Sequence, residues 1–336
     1  MDATEVATRL GLGEDFNVWL ASLEALGPPA GGARLPGDLD ELLDQLRFDP
    51  ADRADILETA VTSDTHVEWR WLVERAVHRV RVDVGDTEGM RPMPNLPAGL
   101  GSPARCFWIV VFLAAVPDIR RWHQAHAIPE DVSWDTLEDL ARHTRLYRQR
   151  TGHTGLDTHW WISIHFRGGL FAIGRLQYTP YRLQTGPGGP LFWYDDAGPG
   201  FRRGDPALGV HIPDSGPLTP DACLSSFRNA NVFFNTHLEA EYAGAVATCT
   251  SWLLDEQLCD YLEADSNIVR FQRRFELVPG ALDSDASAFH FVFGRAPEDI
   301  ESLQPRTRLE QAIVSHIRNG GHWRMRTGWL RLGEQT

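Results

Sequence analysis

Apolar positions change their period near the middle of the chain. Through residues 1–152 they recur every third or fourth place, the spacing that lines one side of a helix. "ELLDQLRF" sets Leu42, Leu43 and Leu46 that way, and Asp49–Pro50 closes this run while opening "ADRADILETAV". "VEWRWLVERAVHRVRVDV", Val67 to Val84, is read as a helix with a frayed end on Trp71, Val73, Val77 and Val80. The Pro/Gly-rich "GMRPMPNLPAGLGSPARC" is a loop. After it the pattern predicts a buried helix carrying Trp108, Phe112 and Leu113. An amphipathic helix then begins near Ser133, with Leu137, Leu140, Thr144 and Tyr147.

From "TGHTGLDTHW" onward the texture turns to strands. "HWWISIHF" (His159 to Phe166), the turn "RGG" and "LFAIGRLQYTPYRL" (Leu170 to Leu183) are read as an antiparallel hairpin. Next come a strand from Leu208 to Ile212, a helix from about Pro220 to Leu238, and a strand within "GAVATCTSWLL". "DEQLCDYL" and "SNIVRFQRRF" read as helical, "AFHFVFG" as a strand, "TRLEQAIVSHIRNG" as a helix, and "HWRMRTGWLRL" as a closing strand. The expectation is an α+β protein with a helical domain over 1–152 and a mixed sheet flanked by helices over 153–336.

Composition narrows the partners. At 336 residues, 43% hydrophobic and 23% charged, the chain is globular. A net charge of -14 disfavours nucleic acid. The greasiest run, Cys106 to Val116, is too short to span a bilayer, and the acidic N-terminus does not resemble a signal peptide, so a cytoplasmic protein without a membrane contact is expected. Cys106, Cys223, Cys249 and Cys259 form no CxxC pair and read as reduced thiols. His123 and His126 lack companions for a metal site, so no metal is expected.

The stretch "ALGVHIPDSGPLTPDACLSSF" holds the candidate chemistry. A strand runs through a glycine-bearing turn straight into a helix that has Thr219 as N-cap and Pro220 at its first position. Free amides at such a helix start suit a phosphate, and Gly216 lets a ligand approach the backbone. The plain alternative is a capped turn in which Asp221 satisfies the helix dipole.

Taken in order, "HFRGGLFAIGRLQY", "LGVHIPDSGPLTPDA", "TCTSWLLDEQL" with "YLEADSNIVRFQRRF", and "GGHWRMRTGWL" resemble the two-domain bacterial acyltransferases with a helical N-terminal domain and a GNAT-like C-terminal domain. The helical part resembles them more loosely, through "FWIVVFLAAVPDIRR". What the resemblance implies is a sheet that splays between its fourth and fifth strands to admit the pantetheine arm of an acyl-CoA co-substrate. The pyrophosphate would sit at the following helix, giving Val210, Ile212, Ser215, Gly216, Pro217, Leu218 and Thr219 as coenzyme-binding residues. Two features depart from the family pattern. The loop holds one glycine where the pattern is Q/R-x-x-G-x-G/A, and Gln272 stands near the place of the tyrosine that protonates the leaving thiolate.

Acyl transfer needs a base, donors for the thioester oxygen and an acid. His211, at the end of the fourth strand, is the candidate base. Ser251 is the candidate proton donor, and His165 is placed beside Gln177 in the hairpin as a further candidate. Cys249 and Ser251 share one strand face, and Thr248 and Thr250 the other. A buried Cys249 is expected to be inert. The expected activity is transfer from acyl-CoA to a small amine or alcohol by direct attack on the thioester. Alternatives are a binding or scaffold protein that kept the fold without catalysis, and transfer from an acyl carrier protein or aminoacyl-tRNA received by Arg270, Arg273 and Arg274.

Overall fold

A computed structural model describes the chain except residues 34, 88, 90, 186–191, 194–201, 239–241, 243, 295–298 and 336. It divides into two compact units, Met1–Phe171 and Ala172–Thr336.

The first unit is helical: α1 (Ala3–Leu10), α2 (Asn17–Leu26), α3 (Leu39–Gln45), α4 (Pro50–Thr65), α5 (Val67–Val82), α6 (Ser102–Arg105), α7 (Phe107–Ala125), α8 (Glu130–Leu137), α9 (Asp139–Thr151) and α10 (His159–Phe166). Its axis is α7. Phe107 through Val116 are all buried, the mark of a helix surrounded by others, and polar residues resume only past Pro117. Trp19, Phe107 and Trp108 interlock around it, with Trp19 and Phe107 edge to face at 6.1 Å. Each such side chain taken out of water contributes about 1.5–3 kcal/mol.

The segment read as a strand, "HWWISIHF", is the helix α10. Its buried positions His159, Ile162, His165 and Phe166 fall at helical spacing, and the period-two reading missed them because Trp160, Trp161 and Ile164 lie between. Phe166 meets Phe112 of α7 at 4.7 Å, and His159 stacks on Trp108 at 5.1 Å. The "RGG" that was read as a hairpin turn ends this helix instead. Gly168 and Gly169 donate back to His165 and Ile164 carbonyls. Gly168 has φ of +74°, and a Cβ there would lie 2.6 Å from the Trp122 ring.

The second unit holds β1 (Phe171–Ile173), whose first residue belongs to the helical unit, β2 (Leu176–Arg182), β3 (Gln184–Thr185), β4 (Phe192–Trp193), β5 (Pro206–His211), α11 (Pro220–His237), β6 (Val246–Ser251), α12 (Asn267–Gln272), β7 (Glu276–Leu277), β8 (Leu282–Asp283), α13 (Asp285–Phe293), α14 (Arg308–Arg318) and β9 (Arg324–Arg331). "LFAIGRLQYTPYRL" is by itself the hairpin, turning at Gly174–Arg175. "AFHFVFG" is α13, not a strand: Ala288, Phe289 and the half-buried Val292 and Phe293 form a helical stripe, and Gly294 closes it in the left-handed conformation.

The main sheet runs β1-β2-β5-β6-β9-β7, with β8 on β9. Only β5 and β6 are parallel in it among the described pairs, as the α11 crossover between them requires. One sheet face carries Tyr178, Leu208, Val210, Ala247 and Cys249, and Tyr178 reaches α11 at Phe234 and Ser226. Among the described residues no helix is long and apolar enough to cross a membrane.

Candidate functional site

The parallel seam between β5 and β6 is short. It joins Ala207 to Val246, Leu208 to Ala247 and Gly209 to Thr248, and then stops, although both strands continue. β5 stays paired to β2 as far as His211, and β6 stays paired to β9 as far as Ser251. The two strands therefore part while each remains fastened on its outer side, leaving a notch between Val210–His211 and Cys249–Ser251. This is the splay that the resemblance implied.

His211 stands at the notch. Its side chain leans back over Gly209, where a Cβ would lie 3.4 Å from the imidazole Nε2. Nε2 is 2.8 Å from the Thr179 hydroxyl, which restricts the ring's rotation. Strand alternation puts Thr179, Tyr181, Thr248, Thr250 and Thr327 on the same face. They pair as hydroxyls: Tyr181 with Thr248 at 2.5 Å, Thr250 with Thr327 at 2.9 Å. Burial pushes the Tyr181 phenol up to about 12, so it keeps its proton throughout the neutral range. Beyond the hydroxyls the same face turns apolar, with Ala207, Val246, Trp329 and Tyr181 packed together.

Beyond His211 the chain turns through Ile212 and the loop 213–219 into α11. Thr219 caps the helix, its hydroxyl accepting from Ala222, and Ser215 donates to the Pro213 carbonyl. Gly216 has φ of +114°, a conformation that suits glycine alone. Among the described residues, none accepts from the amides of Asp214, Leu218, Thr219 and Asp221. The Asp221 carboxylate, in the first turn of α11, does not accept from them. Arg175, from the β1–β2 turn, binds the other side of this loop. Nε donates to Pro217 O at 3.1 Å, Nη1 to Pro213 O at 3.0 Å, and Nη2 to Gly216 O at 2.6 Å. Positive charge from Arg175 and Arg274 reaches the first turn of α11, where both act on the Cys223 thiol against the upward push of burial.

The other candidates lie elsewhere. Ser251 shares the face of Cys249, opposite to His211, and its hydroxyl accepts from Leu253 to cap the turn that follows. His165 belongs to α10 in the helical unit and has no strand partner. Gln177, expected beside it, pairs with His211 instead. His165 Nε2 stands 2.9 Å from Asp139 Oδ2, at an angle that misses a well-formed hydrogen bond, and Nδ1 meets the Trp161 carbonyl at 3.2 Å. Gln272 donates to the carbonyls of Leu253 and Asp255, so it ties down the turn after β6. Burial raises the Cys249 thiol to about 12, which leaves it protonated. Arg273 and Arg274 are bonded to Ala264 and Gln335. Among the described residues no group of His, Cys, Asp and Glu is arranged to hold a metal ion.

Sequence reading missed Arg175, Thr179, Tyr181 and Thr327. The alternation of "LQYTPYRL" places Thr179 and Tyr181 on one face, but only the β2–β5 register shows that this face is the one holding His211.

Two family profiles match the chain: the N-acyltransferase N-terminal domain over residues 37–168 and the GNAT-like C-terminal domain over 170–330. No curated protein matches. Among solved structures, an acyltransferase in complex with decanoyl-CoA and teicoplanin is 37% identical, covering 99% of this chain and 100% of its own, with a TM-score of 0.86. One in complex with CoA and 10C-teicoplanin is 36% identical over the same shares, also at 0.86. A third, with decanoyl-CoA, is 37% identical over 98% and 99%, again at 0.86. With that identity along its whole length and a notch of the kind a thioester arm enters, the chain belongs to the two-domain acyltransferases that join an N-acyltransferase N-terminal domain to a GNAT-like C-terminal domain and use acyl-CoA.

Proposed function

We propose that this acyltransferase moves a medium-chain acyl group from coenzyme A to an amine or hydroxyl of a polar acceptor, by direct attack on the thioester. The observation that carries the reading is His211: an imidazole held by Thr179 over the last residue of the parallel seam, where β5 and β6 part. Support for a medium-chain donor and a glycopeptide-like acceptor comes from the relatives crystallised with decanoyl-CoA and teicoplanin.

In this reading the pantetheine arm lies in the notch and the pyrophosphate faces the amides of Asp214, Leu218, Thr219 and Asp221, with Val210 to Thr219 forming the coenzyme's seat. The unbonded amides and nearby positive charge fit an anion there. His211 takes the proton from the acceptor's amine or hydroxyl as it attacks the thioester carbon. The tetrahedral intermediate then collapses with loss of the thiolate, and the imidazolium returns the proton to that sulfur, so one group serves as base and acid. This arrangement removes the need for a tyrosine at Gln272. Ser251 and His165 stand outside the proposed step, because the first is turned to the opposite face and the second is engaged with Asp139.

The test is incubation with decanoyl-CoA and a panel of amine, sugar and glycopeptide acceptors, following free thiol release and the acylated product by mass. Acceptor-dependent thiol release that His211→Ala abolishes is the expected result. Thiol release that ignores every acceptor, or survives His211→Ala unchanged, overturns it.

A further inference from the structure

Arg175 has no place in the proposed chemistry, yet its guanidinium makes four hydrogen bonds to one loop. It donates to the carbonyls of Pro213, Gly216 and Pro217, and to Ser215 Oγ at 3.5 Å. The loop has only one glycine with which to shape itself. We infer that Arg175 is a positioning residue for coenzyme binding, which turns the peptide planes of loop 213–219 so that their N–H groups face the notch.

The geometry follows from the trans peptide. No described peptide bond is cis, and in a trans unit the C=O and the N–H of the next residue point in opposite directions. Drawing the Pro213 carbonyl to Arg175 thus aims the Asp214 amide away from it. Drawing the Pro217 carbonyl does the same for Leu218. The third carbonyl, of Gly216, is followed by Pro217, which has no N–H, so the prolyl unit closes the turn without presenting a donor. Asp214 and Leu218 are two of the loop amides that lack an acceptor among the described residues.

The direction is also set by topology. Arg175 sits on the β1–β2 turn, and β2 flanks β5 on the side opposite β6. Groups aimed away from Arg175 are therefore aimed toward β6 and the notch. A guanidinium suits this work because its rigid fork reaches several acceptors in one plane, which a lysine ammonium does not. Since three of its bonds go to carbonyls, Arg175 acts through the loop. A family loop rich in glycine shapes itself; here an arginine from a neighbouring hairpin does it.

This inference rests on the reading that the loop seats the pyrophosphate, and the experiment separates the two. Calorimetry measures the Kd of decanoyl-CoA and of decanoyl-pantetheine, which lacks the diphosphate and nucleotide, for the wild type, Ser215→Glu, Arg175→Ala and Arg175→Lys. Ser215→Glu puts a negative charge beside the amides and reports on the seat itself. The expected result is a Kd for decanoyl-CoA about tenfold higher in Arg175→Ala, with that for decanoyl-pantetheine within about twofold of wild type, showing that the variant is folded. Arg175→Lys regains only a small part of the loss. If Ser215→Glu leaves decanoyl-CoA binding unchanged, the seat lies elsewhere and both readings fall. If Ser215→Glu weakens it while Arg175→Ala does not, the seat stands and the role of Arg175 is overturned. Full restoration by Arg175→Lys also overturns it, because charge alone would then account for the effect. Equal losses for both donors in Arg175→Ala do so too, since a general disruption then explains them.

Discussion

His165 and His211 look alike along the chain, each at the end of an apolar stretch, but the helical unit and the sheet unit use them in opposite ways. Around His165 the polar groups gather inward on the Asp139 carboxyl. Asp139, 4% exposed, receives Arg142 Nε at 2.6 Å and Trp161 Nε1 at 3.3 Å, and His143 reaches Thr158 at 2.7 Å. These neighbours hold the Asp139 carboxyl well below the usual range despite its burial. Around His211 the polar groups form a row along one sheet face, beside a gap in the ladder. A buried charge surrounded by partners organises packing; a half-buried imidazole beside an open strand pair is the candidate for meeting a substrate.

The largest expected effects set these two centres apart. His211→Ala lowers kcat/KM by about 10²–10⁴-fold with an unchanged melting temperature. Asp139→Ala leaves Arg142 buried without its counter-charge, so it costs about 3–5 kcal/mol of stability in a denaturant titration. The rate per folded molecule is expected to hold. If the folded fraction of Asp139→Ala is as slow as His211→Ala, the contrast between the units fails, and His165 returns to the chemistry.

The next effect is a pH dependence that arises in the helical unit. His123 is fully buried, with Nδ1 2.6 Å from the Ser133 hydroxyl, and burial together with the charge of Arg120 depresses it to about 4. Between that value and the ordinary one near 6.5, the unfolded chain binds a proton that the folded one refuses. Stability is therefore complete above about pH 6.5 and falls by up to about 1.4 kcal/mol per pH unit on acidification, levelling off below about pH 4. Burial depresses His143 and His159 as well, which adds loss of the same sign. Urea titrations at pH 7 and pH 5, followed by tryptophan fluorescence, measure the slope, and His123→Gln makes it shallower. An unchanged slope in that variant removes His123 from the account.

The smallest effect concerns Ser251. Loss of its cap to Leu253 in Ser251→Ala costs about 1 kcal/mol, and kcat/KM stays within about twofold. A hundredfold loss of rate with intact stability would bring Ser251 into the proton path and divide the work now given to His211.

Legibility followed the reach of the forces involved. Local signals were read correctly: the Thr219 cap with Pro220 opens α11, "TRLEQAIVSHIRNG" holds the helix α14, and β9 forms in "HWRMRTGWLRL". Two apolar stretches, 159–166 and 288–294, are assigned to strands by their pattern and fall in helices, the second within and at the end of α13. Both are short and mostly apolar or aromatic, so helical and strand periods fit nearly equally well. Contacts distant in sequence decide the first, notably Phe112 on Phe166 and Trp108 on His159. At the site, the loop and His211 were visible because they are contiguous. Arg175 was not: it lies 38 residues before Pro213, and nothing local distinguishes an arginine that gathers distant carbonyls from one that faces water.

The seam of three residue pairs has a consequence for what enters it. Past Gly209 and Thr248, two strands inside one sheet each present an unzipped border to the other. Unlike an outer border, this one has a strand on each side, an arrangement suited to a slender chain. Pantetheine brings two amide groups on such a chain. In the proposed seating, the co-substrate would serve as a stand-in rung of the sheet.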